Sequence, residues 1–552
     1  MKLNKPSLKT PGILPMFGLA LFFAVMSVLP SIVHTFHPAY EGLTVIRDKD
    51  FGNYYSRLER ALSGFPSEAD NGITPIGAGI DGAQTAGLEV ILGTLFQWTN
   101  IPAPMLSVVL TPLFVFLLFV LFFFLFTALE IPPRMSLLAT SLYFAILFHV
   151  VSRVMHPGWS FVPTIGALLS FLHFTKKPTA LLAILTGVLL GLLPYLYFWS
   201  FTYVWAVCGI AALLLLVTRL GAPRGAPTSV PLTPYFLTAL ITLTVSLPFF
   251  LTTWKLTHHP LYEAVAFRGG FLTKTIIESP VRSILLLLET GVFLSLFKEK
   301  KGEWKYLISL AFLLGIFIAI HQNLVHGTLL MFSSHYYPYL VLSSVIAAAY
   351  ALFSPMQDWK KWVILGITVL FLVGAAKDYL PGYRFFIPEK SDFSDQYLSG
   401  ALKYLNENGT RDVILTDAHT GRVVTSFLPE GIVYTTHSRF LLISDEEMAE
   451  RYCMSELFSE STPDPIRALY MEYRPELDAP DAREREKSLV LEACSRVRRD
   501  PMTYLQKYGV THILWNQELK PTWDIKQFPI PLTIVDGTVD WMLLAIGFPT
   551  SS

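Results

Sequence analysis

Long apolar runs separated by short polar turns fill the chain to about residue 376, and there the alternation stops. A membrane span needs about 20 apolar residues. Runs of that kind fall near 12–34, 105–129, 136–154, 158–175, 179–196, 201–218, 234–254, 281–297, 306–322, 336–354 and 361–376. The first has no charge between Thr10 and Tyr40 and no small-residue cleavage site, and more spans follow, so it reads as a retained anchor rather than a removed signal peptide. The shorter apolar stretch 85–99 carries Glu89 and reads as an interfacial helix ahead of the second span. Between the two lies a long first loop, 35–104. Within it Phe51–Leu62 has helical spacing, with Tyr54, Leu58, Ala61 and Leu62 on one face and Arg57, Glu59 and Arg60 on others. That pattern predicts a helix lying on the membrane surface.

After Lys377 the runs shorten. Strands are predicted at 412–416, 431–434, 511–515 and 532–535, and helices at 398–405, 483–499 and 501–508, which together describe a small α/β domain. The expected fold class is a polytopic α-helical membrane protein with about eleven transmembrane helices over residues 1–376. Residues 377–552 are expected to form a C-terminal extracytoplasmic α/β domain.

Composition supports this division. The 552 residues are 52% hydrophobic and only 15% charged, the balance of a membrane protein. Charged side chains make up about a tenth of residues 1–376 and about a quarter of residues 377–552, an ordinary soluble value. With the N-terminus in the cytoplasm, Lys and Arg are commoner in the inner loops than in the longer outer ones, as the positive-inside rule requires. An odd number of spans then puts the C-terminal domain outside, on the same side as loop 35–104. The formal net charge of zero argues against a nucleic-acid partner, which needs a basic face. Of the three cysteines, Cys208 falls in a span, while Cys453 and Cys494 fall in the outer domain, where a disulfide is chemically allowed. Asn408-Gly409-Thr410 is an acceptor-type sequon of a length that is common by chance.

The candidate chemistry lies in the outer loops. Arg47-Asp48-Lys49-Asp50 is the first dense group of charges after the first span, directly before the predicted helix at Phe51. Asp50 is placed either as a reactive carboxylate or as an N-cap, since a helix N-terminus favours negative charge. The glycine-rich stretch from Gly72 to Gly82 contains Asp81 but has no phosphate-loop pattern. The turn Ser152-Arg153-Val154-Met155-His156-Pro157-Gly158-Trp159-Ser160 sets a cation and an imidazole at the mouth of two spans. They would face water, a ligand or an anion, or Arg153 would snorkel to lipid headgroups. The turn Tyr195–Tyr203 is densely aromatic, as a membrane-interface belt or a sugar-stacking surface would be. The fourth outer loop offers Arg268 and Lys274 to a phosphate, with an amphipathic helix expected over 260–277. The adjacent His258 and His259 do not point one way and are not a zinc pair. The fifth loop brings His321, Gln322, Asn323, His326, His335, Tyr336 and Tyr337 without an acid, which suits an uncharged or anionic ligand better than a metal. Glu289 is the acid inside a span and is expected to pair with a neighbouring helix.

In this order of features the chain resembles the GT-C superfamily, the integral-membrane glycosyltransferases that use polyprenyl-phosphate sugars. They include protein O-mannosyltransferases, aminoarabinose transferases and oligosaccharyltransferase catalytic subunits. The resemblance rests on Asp50-Phe51-Gly52-Asn53-Tyr54 in the first outer loop and on Ser152-Arg153 at the next outer turn. It implies Asp50, or its near competitor Asp48, as the catalytic acid or base. It also implies Tyr54, Arg153, His156, Arg268, His335 and Tyr336 as substrate-binding residues. The second acidic motif and the Trp-Trp-Asp-Tyr-Gly motif of oligosaccharyltransferase subunits are missing, so asparagine glycosylation and a carboxylate-held divalent metal are not favoured. The implied partners are a polyprenyl-phosphate sugar donor, a glycan, lipid or protein acceptor, and membrane lipids. The rival readings are a lipid-linked saccharide transporter or flippase, and a polysaccharide ligase or polymerase working through Arg and His.

Overall fold

The structure is a computed structural model that describes residues 13–46, 51–64, 87–155, 157–220, 232–268, 279–299, 303–326, 333–353, 357–379, 387–408, 413–435, 438, 441–459, 480–525 and 531–547. The chain divides into two compact units. One comprises Met1–Pro30, Val109–Thr252 and Thr273–Phe386; the other comprises Ser31–Val108, Thr253–Leu272 and Ile387–Ser552.

The first unit is helical. Its elements are α1 (Ile13–Thr35), α4 (Ala103–Ala128), α5 (Pro133–Val151), α6 (Phe161–Lys176), α7 (Ala180–Leu196), α8 (Phe198–Leu220) and α9 (Thr233–Thr257). It continues with α11 (Pro280–Glu299), α12 (Trp304–Ile320), the short α13 (Asn323–His326), α14 (Tyr337–Phe353) and α15 (Asp358–Tyr379). The unit boundaries fall within α1, α4 and α9. Each apolar run of the sequence is a helix here. Among the described residues six helices (α1, α4, α5, α8, α9 and α15) are long and apolar enough to cross a membrane, and α7, α12 and α14 are shorter apolar helices. Apolar side chains face outward from them, as a hydrocarbon solvent permits: Leu243 is 59% exposed, Leu251 52% and Val373 60%. The protein is an integral membrane protein.

Short turns make neighbouring helices antiparallel, so the unit has two chemically different ends. One end carries lysines. Lys176 lies 3.1 Å from Glu130 and sits over the Trp304 ring, and Lys305 and Lys361 pair with Glu303 and Asp358. The opposite end carries His, Tyr, Trp and amide groups and holds the candidate residues of this unit. Between the ends, Glu289 of α11 accepts hydrogen bonds from Ser344 of α14 (2.7 Å) and Thr368 of α15 (3.4 Å), the helix pairing expected of it.

The second unit is built on a five-stranded sheet in the order β2 (Gly431–Ile432), β1 (Val413–Leu415), β3 (His512–Asn516), β5 (Trp541–Ile546), β4 (Leu532–Gly537). β1 pairs parallel with β2 and β3, and β5 pairs antiparallel with β3 and β4. Ile414, Ile432, Ile513 and Leu543 are fully buried under helices that include α16 (Ser399–Asn408), α17 (Ala418–Phe427), α18 (Asp445–Ser455) and α19 (Pro480–Arg499). A disulfide joins Cys453 of α18 to Cys494 of α19 across a Cα separation of 4.9 Å. Four strands lie where the sequence predicts strands; β5 was not anticipated. Two helices of the first loop, α2 (Phe51–Leu62) and α3 (Gly87–Phe96), and the short α10 (Tyr262–Arg268) belong to this unit as well.

Candidate functional site

Three candidates, Asp48, Asp50 and His156, lie outside the described residues. The chain on either side of the acidic stretch is defined. Upstream, Gln396 clamps residues 41–43: its Oε1 accepts the N–H of Glu41 (2.9 Å) and Leu43 (3.1 Å), and its Nε2 donates to the Leu43 carbonyl (2.7 Å). Downstream, α2 begins at Phe51 and packs between α3 and α17.

That packing corrects the surface-helix reading of Phe51–Leu62. Ser56, Arg57 and Leu58 are at most 1% exposed, and Glu59 and Arg60 are buried too. The polar residues off the apolar face meet protein rather than water. Tyr55 shares a hydrogen bond with Ser107 (2.9 Å), and Arg57 lies 4.0 Å from Glu89 of α3. Arg60 donates to the carbonyl of Pro429, just past α17. Gly93 of α3 allows the close approach, because a Cβ there would collide with Ala61. Glu59 accepts the N–H of Ala103 (2.7 Å) at the start of α4, and burial pushes its carboxyl from the usual 4.5 up to about 8 against the pull of that hydrogen bond. Tyr54 is half-buried on the same helix. α3 keeps an apolar exposed face, with Ile91 and Leu95 46% and 60% exposed, as an interfacial helix would.

Arg268 stands apart from the other candidates. Its fully buried guanidinium donates from Nη1 to Asp445 Oδ1 (2.7 Å) and from Nη2 to the carbonyls of Leu441 and Ile443 (both 2.8 Å). These bonds fasten α10 to the start of α18. A cation so engaged holds the fold rather than meeting a phosphate from solvent.

In the helical unit Arg153, His335 and Tyr336 share the polar end. Arg153 sits in the turn between α5 and α6. Met155 there adopts a left-handed backbone (φ 59°), and Gly158 packs so closely that a Cβ would run into the Arg153 carbonyl. Trp159, fully buried, anchors the turn by stacking on Phe114 at 4.7 Å. Tyr379, at the end of α15, lies 6.2 Å from Tyr337, ring to ring. His335 bonds Tyr197 through Nδ1 and stacks on Trp199 at 4.5 Å. Tyr336 Oη receives the Gln322 amide (2.5 Å) and shares a hydrogen bond with Thr202 (2.7 Å). The aromatic turn and the fifth loop, separate in sequence, are therefore packed together: Tyr197 and Tyr336 are buried, and the half-buried imidazole of His335 and indole of Trp199 form the more accessible surface. Such a surface can stack on a sugar ring and hydrogen-bond its hydroxyls.

Sequence reasoning missed a cluster at the start of α17. His419 donates from Nε2 to Asp395 Oδ1 (2.6 Å) and accepts at Nδ1 from Arg422 (3.1 Å). Asp417 caps the helix, its Oδ1 accepting the N–H of His419 and Thr420. The signal was a strand followed by an Asp cap, legible in Val413–Ala418 once the strand is recognised. Among the described residues no group of three or more His, Cys, Asp or Glu could hold a metal ion.

The fold is similar to that of a solved membrane protein. The comparison resting on it is with ArnT from Cupriavidus metallidurans, solved bound to undecaprenyl phosphate, which aligns over 97% of this chain and 98% of its own with a TM-score of 0.50. At 12% identity the likeness is one of fold. No family model and no curated protein sequence matches the chain.

Proposed function

We propose that the protein is a membrane glycosyltransferase that moves a sugar from a polyprenyl-phosphate donor to an acceptor at the outer face of the membrane. The observation that carries the proposal is the ArnT fold over nearly the whole chain, ArnT being a protein that binds undecaprenyl phosphate. In this reading eleven helices span the bilayer with the N-terminus inside. The sheet-bearing residues 387–552 then lie outside, a side compatible with the Cys453–Cys494 disulfide.

Asp50, or Asp48 in its place, takes the proton of the acceptor hydroxyl. The acceptor oxygen attacks the anomeric carbon, and the bond from that carbon to the phosphate oxygen breaks. Polyprenyl phosphate leaves with the electron pair, in a single displacement with inversion. Arg153 and His156 meet the charge developing on the leaving phosphate, which preorganised cations stabilise most when water is excluded. Tyr54 and His335 bind substrate, and Tyr336, buried with its hydroxyl held by Gln322 and Thr202, supports the His335 loop from behind. Arg268 is reassigned to holding α10 on α18.

Turnover of a polyprenyl-phosphate sugar by the purified chain tests the proposal. Asp50→Asn should lower the rate by about 10²–10⁴-fold, the range for loss of a general base. Near-normal turnover in Asp50→Asn and again in Asp48→Asn would remove both carboxylates from the mechanism.

A further inference from the structure

We propose that the carboxyl edge of β1 and β3 is a saccharide-binding subsite, with Thr416 and Asp417 at its floor and His419 and Asp395 at its rim. The inference rests on the glycosyltransferase reading and concerns a second set of residues, distinct from the acidic stretch before α2.

Topology marks the place. The chain runs from β1 through α17 to β2 on one side of β1, then returns to lay β3 on the other side. The carboxyl ends of β1 and β3 are therefore a switch point, where open parallel sheets leave a crevice for ligands. Thr416 and Asp417 follow β1 at that edge, and Asn516 ends β3 there.

Two of these residues carry unmet polar atoms. Thr416 is 2% exposed and Asp417 3%, yet Thr416 Oγ1 and Asp417 Oδ2 have no hydrogen-bond partner. A buried polar atom left unpaired is costly, and native structures seldom tolerate two adjacent ones without a bound molecule. Asn516 cannot serve either atom. Its Nδ2 already donates to Tyr397 Oη (2.6 Å) and Thr420 Oγ1 (2.8 Å), and its Oδ1 accepts the N–H of Leu519.

The chemistry of these two atoms selects the ligand. A helix N-terminus alone would favour an anion, but here the Asp417 carboxylate already takes the N–H groups of His419 and Thr420. A phosphate would meet that carboxylate and Asp395 as like charges. A group that donates to Asp417 Oδ2 and exchanges a hydrogen bond with Thr416 is required, and a hydroxyl does both. His419 and Asp395, with 37% and 23% of their side chains exposed, are the solvent-facing members of the cluster and extend the polar surface outward. Several hydroxyls in one rigid ligand describe a saccharide. The location fits the reaction, because residues 41–43, which lead toward the acidic stretch, are held by Gln396, the neighbour of Asp395.

Asp417→Asn tests the subsite, since Asn caps a helix about as well as Asp but replaces the bare acceptor with a donor. The full-length chain in detergent is titrated with methyl glycosides of glucose, galactose and mannose, and binding is read by saturation-transfer NMR. Wild-type protein should bind at least one of them in the millimolar range. Asp417→Asn should bind it about tenfold more weakly while melting at the wild-type temperature, and Thr416→Val should weaken it by a smaller factor. Asp417→Asn should weaken glycoside binding by the same factor whether or not Asp50→Asn is present, and Asp50→Asn is read by turnover, which separates failure of this subsite from failure of the proposed catalytic acid. If no glycoside binds wild type, or if Asp417→Asn binds equally well, the two orphan atoms are met by ordered water and the proposal is overturned.

Discussion

In the helical unit three buried pairs among the described residues join hydroxyl to hydroxyl: Ser200 with Tyr339, Tyr203 with Ser343, and Ser170 with Thr186. Even the carboxyl of Glu289 is met by the hydroxyls of Ser344 and Thr368. In the sheet-bearing unit buried arginines bring charge inside as well: Arg57 lies near Glu89, Arg268 on Asp445, and Arg451 on Glu447. The two kinds of pairing obey different energetics. A neutral hydrogen bond contributes about 1 kcal/mol and is indifferent to pH. Breaking a buried ion pair by removing one partner costs about 3–5 kcal/mol, because the remaining polar groups are left in a low-dielectric site. The unit that holds α2 therefore adds a few strong charged contacts to its neutral ones, while the described pairs of the bundle are individually weak.

The largest effect that would break this contrast is at Arg268. Arg268→Met keeps the length of the stem but strands the carbonyls of Leu441 and Ile443, so the chain should lose about 3–5 kcal/mol in denaturant unfolding followed by tryptophan fluorescence. Asp445→Asn should lose less, because Asp445 is 39% exposed and water or the new amide oxygen can replace the lost acceptor. Equal losses for the two variants would mean that the ion pair, rather than the carbonyl contacts, holds α10 to α18.

Glu59 sharpens the contrast through pH. Its carboxyl titrates near 8 in the folded chain and near 4.5 when unfolded, so across that window the native state holds a proton that the unfolded state has released. Stability should therefore fall as pH rises from about 5 to about 8, by on the order of 1.4 kcal/mol per pH unit at most, a few kcal/mol in all. Glu59→Gln still offers an oxygen to Ala103 and cannot ionise. Melting curves across this range should flatten in the variant, and a slope unchanged from wild type would show that another group is responsible.

The positions of the apolar helices were readable because a run of about 20 apolar residues is a local property. So was the aromatic turn, and so was the absence of acids from the fifth loop. Apart from the pairing of Glu289 with neighbouring helices, what stayed hidden was the partners set by tertiary packing. The periodicity of Phe51–Leu62 shows an apolar face in either solvent, lipid or protein. Only the approach of α17, some 350 residues later in the chain, decides that the polar faces are buried as well. Arg268 looked like a phosphate ligand because a lone basic residue in an outer loop is indistinguishable from one whose acceptors, Leu441, Ile443 and Asp445, lie far along the sequence. β5 escaped notice because Trp541–Ile546 is a continuous apolar run, and a strand buried in a sheet lacks the alternation by which strands are recognised. His335 and Tyr336 were visible in the sequence as polar residues at the start of an apolar run. Their partners Tyr197, Trp199 and Thr202 were seen only as a belt.

The smallest predicted effect lies in the bundle and depends on which side of one hydroxyl pair is removed. Tyr203 Oη and Ser343 Oγ are 3.1 Å apart and buried, and Ser343 also bonds the carbonyls of Phe312 (3.3 Å) and Tyr339 (2.9 Å). Tyr203→Phe leaves Ser343 with both carbonyls, so its cost should stay below about 1 kcal/mol. Ser343→Ala strands the Tyr203 hydroxyl, which is fully buried, and should cost about 1–3 kcal/mol. Neither variant should change the pH dependence set by Glu59. If Tyr203→Phe proved the more damaging, its hydroxyl would have to be worth more than a neutral hydrogen bond, and the bundle would no longer differ in kind from the unit that carries α2.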